Sequence, residues 1–441
     1  MTKAEVVTVT AEAGVDVGSE VAKASEATIR DEDIERAKLL SGVDVASGEK
    51  QYVTTASEDS IRNFAVGYGD DNPLFTDPDY AERTRWGGQV APNIMAVIIS
   101  KPMLGDPMSK EMKANKKGLF QGIHVFVSGS DWEWYRPVRP GDTLYSFGGE
   151  DGVEVKTSEF SGRTVTKFLR TVKMNQRGEV VGVYRKRSIL SERKAAKSKG
   201  KYSDIKPAVY SDEDLAKVDE VYAQEKRRGA EKRYWEDVQV GDTMGKMAKG
   251  PLTVTDIVVF HAGGYGFFPY SPTTSRLAWE NRQRIPAFYI KNEQGIPDVA
   301  QRVHWDKELS LHTTGNPLPY DYGVMRETWI HHFLTDWAGD DAWVARQYDE
   351  VRRFNYLGDV QYITGKVVDK RQDGPRFLVD IEIEVHSQRE ELTAIATATI
   401  VLPSREHGQA VLPTVPDALA ARALELFARH NELVAEKKKG R

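Results

Sequence analysis

Two stretches of the chain follow one plan, and a duplicated plan is what most restricts the folds open to it. "TASEDSIRNFAVGYG", Thr55 to Gly69, is paralleled by "TVTDIVVFHAGGYG", Thr253 to Gly266. Ile257 falls where Ile61 does, and Phe260 where Phe64 does. Later in each half "RPVRPGDTL", Arg136 to Leu144, is matched by "RRFNYLGDVQ", Arg352 to Gln361.

Both halves end in runs of β-branched and aromatic residues that read as strands. In the first they are "GIHVFVSGSDWEWYRPV", "TLYSFGGEDGVEVKTSEF", "TVTKFLRTVKMN" and "EVVGVYRKRSIL", with "NQRGE" and "EDG" as turns. In the second they are "DVQYITGKVVDK", "RFLVDIEIEVHS" and "TAIATATIVLP". Ahead of the first set, Ser57 caps a helix with Ile61 and Phe64 on one face. "APNIMAVIIS", Ala91 to Ser100, is apolar enough for a second helix buried against the sheet. "YDYGVMRETWIHHFLTDW", Tyr320 to Trp337, predicts its counterpart, with apolar residues at 325, 329, 330, 333 and 337. Helices followed by antiparallel strands, twice over, predict an α+β fold in which each sheet wraps a helix.

At 441 residues the chain exceeds one ordinary core. The expected division is a loose arm over residues 1–30 and a first unit over 31–193. A basic linker with a Ser211-capped connector helix covers 194–230, a second unit 231–403, and a closing helix lies within 404–441. The net charge of -5 gives no general attraction to nucleic acid or anionic membrane. The absence of cysteine excludes disulfides, thiolate metal sites and a cysteine nucleophile. No apolar run approaches the ~20 residues of a membrane span, and the N-terminus lacks a signal-peptide core. A soluble, cytoplasmic protein is expected. There is no His-Glu-x-x-His, Walker or Gly-x-Ser-x-Gly motif, and Gly67 with Gly69 lacks the third glycine of a dinucleotide site. Adjacent His331 and His332 point in different directions on a helix, so no metal site is expected from them.

"YGDDNPLFTDPDYA", Tyr68 to Ala81, resembles the Gly-Asp-x-Asn-Pro-x-His-x-Asp turn of the MaoC-like (R)-specific enoyl-CoA hydratases and acyl dehydratases. With the repeat, and over residues 31–403, the likeness is to their double-hot-dog members. It implies two tandem hot-dog folds related by a pseudo-twofold. It also implies water addition across 2-enoyl thioesters of coenzyme A or an acyl carrier protein, in lipid metabolism. An Asp and a His would activate water, and backbone N–H groups at the central helix would polarise the thioester carbonyl. Coenzyme A would enter as part of the substrate, with no other cofactor. The expected assembly is a homodimer or higher homo-oligomer, or else a heteromer.

The sequence departs from the family pattern in both halves. The first keeps Asp70 and Asn72 but has Phe75 in the His position and Asn93 where catalytic members carry Gly. The second has Phe267 near the Asp position, then an insertion over residues 268–301, after which "VHWD" supplies His304 and Asp306. Gly323 matches the oxyanion glycine, so the second half is the expected working site. The carboxylate partner of His304 is then Asp298, or Asp70 if the two turns converge. Asn72, His261 and Asp306 are candidate substrate contacts, and Arg276, Arg282 and Arg284 on the insertion are candidates for lidding the pocket or meeting coenzyme A phosphates. A thioesterase of the same fold and a non-catalytic acyl-thioester-binding subunit remain as alternatives.

Overall fold

The computed structural model describes residues 27–158, 162–191, 205–266 and 275–439. The arm over 1–26 and the basic run over 192–204 lie outside them. The first half supplies strands β1 (Val45–Ala46), β2 (His124–Trp134), β3 (Tyr145–Ser158), β4 (Gly162–Met174) and β5 (Val180–Ser191). The second supplies β6 (Thr243–Lys249), a small hairpin β7 (Tyr289–Lys291) and β8 (Pro297–Val299) in the insertion, and β9 (Trp343–Val351). It closes with β10 (Gln361–Asp373), β11 (Arg376–Ser387) and β12 (Leu392–Leu402).

All but the hairpin form one 10-stranded sheet in the order β1-β3-β4-β5-β2-β9-β12-β11-β10-β6. The order is symmetric about its centre, where β2 pairs antiparallel with β9 from Gly129↔Glu350 to Glu133↔Arg346. A twofold normal to a sheet requires that antiparallel joint. The "EDG" stretch is not a turn: it is a bulge inside β3, with the register shifting between Glu150 and Gly152. The recurring Gly-Asp pairs have a local cause. Gly141 and Gly358 take left-handed φ values of 92° and 90°. Asp142 and Asp359 then accept from the backbone N–H three residues back, at 2.9 Å from Arg139 and 3.1 Å from Tyr356.

Helices α1 (Glu58–Gly67) and α2 (Val254–Ala262) start at Ser57 and Thr253, each with a capping box. Ile61, Phe64, Ile257 and Phe260 are all buried beneath them. The two helices meet at their ends, where a Cβ on Gly67 would stand 3.1 Å from the Gly263 Cα. Backbone touches backbone there, which is why both copies keep glycine. The insertion's last turn leads into α3 (Lys307–Thr314), and the second half's central helix α4 (Gly323–Ala338) runs 16 residues with nearly every side chain buried.

The first half has no such helix. The run Ala91–Ser100 forms a five-residue 3-10 turn, Asn93–Val97, and then straightens. Ile99 bridges Val53, and the Ser100 N–H donates to the Val53 carbonyl at 3.0 Å. An apolar run is buried in either conformation, so its composition does not choose between them. The connector helix Asp212–Gln224 is capped by Ser211 as expected. The closing helix Asp417–Lys439 lays Leu419, Ala423 and Phe427 against Phe147, Val172 and Met174 in the first half of the sheet. Among the described residues no helix is long and apolar enough to cross a membrane.

Candidate active site

His304 ends a 3-10 turn, Ala300–His304, and Asp306 then caps α3 by accepting the Leu309 N–H at 2.8 Å. Arg302 is ion-paired to Asp306 and fixes the turn from behind. His304 is thereby held with Nδ1 2.8 Å from the Tyr320 carbonyl, so Nδ1 carries the proton and Nε2 the lone pair. Its ring lies 3.8 Å from that of Tyr322, centroid to centroid. Burial, above all, lowers its pKa to about 4 and keeps it neutral at pH 7. Tyr322 donates to His261 Nε2 at 3.0 Å, and His261 Nδ1 is held by the Tyr265 carbonyl at 2.8 Å.

Tyr322 is also the residue before α4, and it provides no side-chain cap. The first intrahelical bond runs from the Met325 N–H to the Tyr322 carbonyl at 3.0 Å. The N–H groups of Gly323 and Val324 therefore have no intrahelical acceptor and carry the positive end of the helix dipole. His304, Tyr322 and Gly323 line a cavity of about 2030 Å³ that crosses onto the first half at Val127, Tyr184 and Lys173.

The counterpart in the first half is closed. Phe75 stands for His304 and Asn93 for Gly323, around a pocket of about 40 Å³. Asn93 Nδ2 donates to the Val344 carbonyl at 3.0 Å, and Asn72 Oδ1 is used by the Leu74 N–H at 3.0 Å.

A family model described as the FAS1-like, dehydratase domain region matches residues 42–183, the half whose pocket is closed. No curated protein sequence matches the chain. A solved structure described as a MaoC-like dehydratase superposes with a TM-score of 0.54 at 16% identity, covering 82% of this chain and 99% of that one. The fold is a MaoC-like double hot dog. A MaoC domain protein dehydratase from Chloroflexus aurantiacus gives a TM-score of 0.48 at 13% identity, covering 83% of this chain and 96% of that one. A MaoC-like dehydratase from Phytophthora capsici gives 0.46 at 11%, covering 85% and 99%.

In this MaoC-like fold the carboxylates expected beside His304 are elsewhere. Asp70 is fully buried, accepting from the Tyr68 hydroxyl and the Asn72 N–H, each at 3.0 Å. It does cross to the second half, but to His332 of α4, whose Nε2 lies 3.7 Å from Asp70 and 3.3 Å from Asp336. The other His332 nitrogen accepts from the Lys249 ammonium at 2.7 Å. Burial raises Asp336 to about 6 and lowers His332 to about 4. Ligand atoms of Asp70, His332 and Asp336 lie within 4.8 Å of one another. Lys249 already supplies the positive charge a cation would bring there. Asp298 is tied to its own loop, accepting the Val299 N–H at 2.7 Å and facing Arg302 at 4.0 Å. Among the described residues no carboxylate acts on the His304 ring.

Other sequence candidates also sit off the cavity wall. Asp306 is the α3 cap, Asn72 belongs to the closed pocket, and His261 stands behind Tyr322. Arg276, Arg282 and Arg284 lie on the helix Arg276–Arg284 and do not line the cavity; Arg276 pairs with Glu280. The cavity's arginines are Arg326, Arg352 and Arg353 together with Arg170. Sequence reading passed over Tyr322, although the residue before a predicted Gly-started helix is a position to inspect. It also passed over Glu327, one turn into α4, which burial and then Asp349 push well above the usual carboxylate range. Tyr184, on the cavity wall, reaches Glu327 at 3.5 Å.

Proposed function

We propose that the chain is a hydro-lyase that adds or removes water at the double bond of a 2-enoyl thioester of coenzyme A. The observation that carries this reading is His304 at one cavity with the Gly323 and Val324 N–H groups, which have no intrahelical acceptor, in a fold shared with a MaoC-like dehydratase. The thioester oxygen would sit at the Gly323 and Val324 N–H groups, where enolate charge develops. In the dehydration direction His304 Nε2 takes the proton from C2. The resulting imidazolium returns it to the hydroxyl leaving C3, so one water departs and the C2–C3 double bond forms. A dry imidazole suits both steps: it is unprotonated at neutral pH, and once protonated it is a stronger acid than an exposed histidine. Arg352 and Arg353, about half exposed on the cavity wall, would meet coenzyme A phosphates.

A second reading is a non-catalytic subunit that binds acyl thioesters, favoured by the lack of a carboxylate beside His304 among the described residues. Incubating the protein with a panel of 2-enoyl-coenzyme A thioesters, with free thiol followed in parallel, separates these readings. Loss of the enoyl absorbance without thiol release supports the hydro-lyase, and thiol release supports a thioesterase. Binding with neither supports the subunit.

A further inference from the structure

The end of the cavity on the first half carries a buried polar cluster, Lys173 with Ser146, among apolar residues such as Val45, Val97, Ile98 and Leu169. Lys173 on β4 is the register partner of Ser146 on β3, and both line the cavity. Lys173 is only 5% exposed. Its ammonium donates to the Ile99 carbonyl at 2.9 Å, its one hydrogen-bond acceptor among the described residues. Ser146 Oγ and Ser100 Oγ lie 3.2 Å apart beside it. The carboxylate that acts on Lys173 is that of exposed Glu49, through space and without a hydrogen bond. Burial lowers the ammonium to about 8 and leaves it mostly cationic at pH 7.

Lys173 is thus a buried cation with two of its three N–H donors unspent, a costly arrangement unless something else completes it. The backbone does not demand it, since position 173 is an ordinary strand residue paired with Ser146 and Gly182. It also stands in the half where the central helix is cut to the turn Asn93–Val97 and the cavity enters instead. We propose that Lys173, with Ser146, anchors an anionic group at the far end of the acyl chain, so that the substrates are thioesters of dicarboxylic rather than simple fatty acids. This rests on the thioester reading above: His304 and Gly323 would take one end of the molecule, and Lys173 the other.

The test uses length-matched pairs of 2-enoyl-coenzyme A thioesters ending in methyl or in carboxylate. The wild-type protein is compared with Lys173→Met and Lys173→Arg, with thermal melts to establish folding. At the chain length that spans the cavity, the wild type should prefer the carboxylate-ended thioester by at least about 10-fold in kcat/KM, the lower range for a charge-assisted hydrogen bond. Lys173→Met should lose that preference while keeping turnover of the methyl-ended substrate, and Lys173→Arg should retain part of it. Equal kcat/KM for both end groups at every length overturns the inference, as does a preference that survives in folded Lys173→Met. If Lys173→Met does not fold, the wild-type preference and its weakening in Ser146→Ala decide. Should no thioester be hydrated, the hydro-lyase reading fails separately, and equilibrium binding of the same pairs decides: tighter carboxylate-ended binding supports the anchor, equal binding removes it.

Discussion

Replacing Asp70 by Asn separates a structural role for that carboxylate from the catalytic one its sequence motif implies. The side chain is fully buried, and its two oxygens accept from Tyr68 and Asn72 at 3.0 Å each. Burial is the main effect lowering the Lys249 pKa, and Asp70 is the strongest charge opposing it. An Asn retains an acceptor for the Asn72 N–H, so the loss is mostly that of the charge. Lys249 would then rely on Glu225, on Asp336, itself raised to about 6, and last on Asp71. Asp70 acts on half-buried Lys249 through space, without a direct ion pair, so the loss falls below the ~3–5 kcal/mol of a broken buried contact pair, at about 2. Urea denaturation at pH 7.5 should show that loss, with a lower midpoint and an unchanged slope. Lys249→Met in the Asp70→Asn background should recover part of it. Turnover by the folded variant should stay within a few-fold of wild type. A stability change under about 0.5 kcal/mol would refute the buried-pair reasoning. A stable variant with turnover reduced ~100-fold would return Asp70 to the site.

Three further outcomes are expected. His304→Ala should lower kcat/KM of enoyl-thioester hydration by ~100-fold or more with little change in melting temperature, and near-normal turnover would remove His304 from the mechanism. The acid limb of kcat/KM should lie near pH 4, because a base whose pKa is lowered to about 4 stays unprotonated down to that pH; a limb centred at 6.5 would mean that the ring is wet. Asp336 is an acid whose folded pKa, about 6, is raised by burial above the ordinary 3.8 of an aspartate, so it favours the folded state at low pH and loses that contribution as pH rises through 6. Asp336→Asn should therefore be more favourable relative to wild type at pH 7.5 than at pH 4.5, by about 2 kcal/mol in denaturation free energy.

The fold was legible where a local rule sets the conformation. Ser57, Thr253 and Ser211 mark helix starts, Gly-Asp marks the tight turns before β3 and β10, and the buried pairs Ile61/Ile257 and Phe64/Phe260 mark equivalent helices. Two elements were not legible. The run Ala91–Ser100 has helix-like composition, yet its end is drawn out by a bridge to Val53, some 46 residues earlier in the chain (99 − 53). Strand β9, "WVARQYDEV", went unread although it joins the halves; its Arg346 pairs with Asp131 across the joint, so its polar residues are explained only by its neighbour. That Gly323 and His304 line one cavity followed from the order of motifs. The partner of Asp70 did not, because His332 is 262 residues away in the chain (332 − 70) and reaches it through the pseudo-twofold alone.

That last contact ties the closed pocket of the first half to the open cavity of the second. The turn of the first half no longer has room for a ligand, and the residues that fill it come from the second half's helix. His331, Thr335 and Ala338 of α4 close the 40 Å³ pocket, and His332 and Asp336 meet Asp70 and Lys249 beside it. The first-half turn has become the socket for the far end of α4, while the near end of the same helix presents Gly323 to the large cavity. The closed turn of the first half and the brace on α4 are then one packing arrangement. The loss of the first half's own central helix acts in the same direction, since the cavity that opens at Gly323 continues over the sheet that helix would have covered. Restoring a histidine at Phe75 alone should therefore give no second site: the ring would face the occupied side of α4, with Asn93 already bonded to Val344 where the oxyanion glycine would be. Turnover of Phe75→His on a His304→Ala background reads this directly, and activity rising more than a few-fold above His304→Ala alone would show that the first pocket is still accessible.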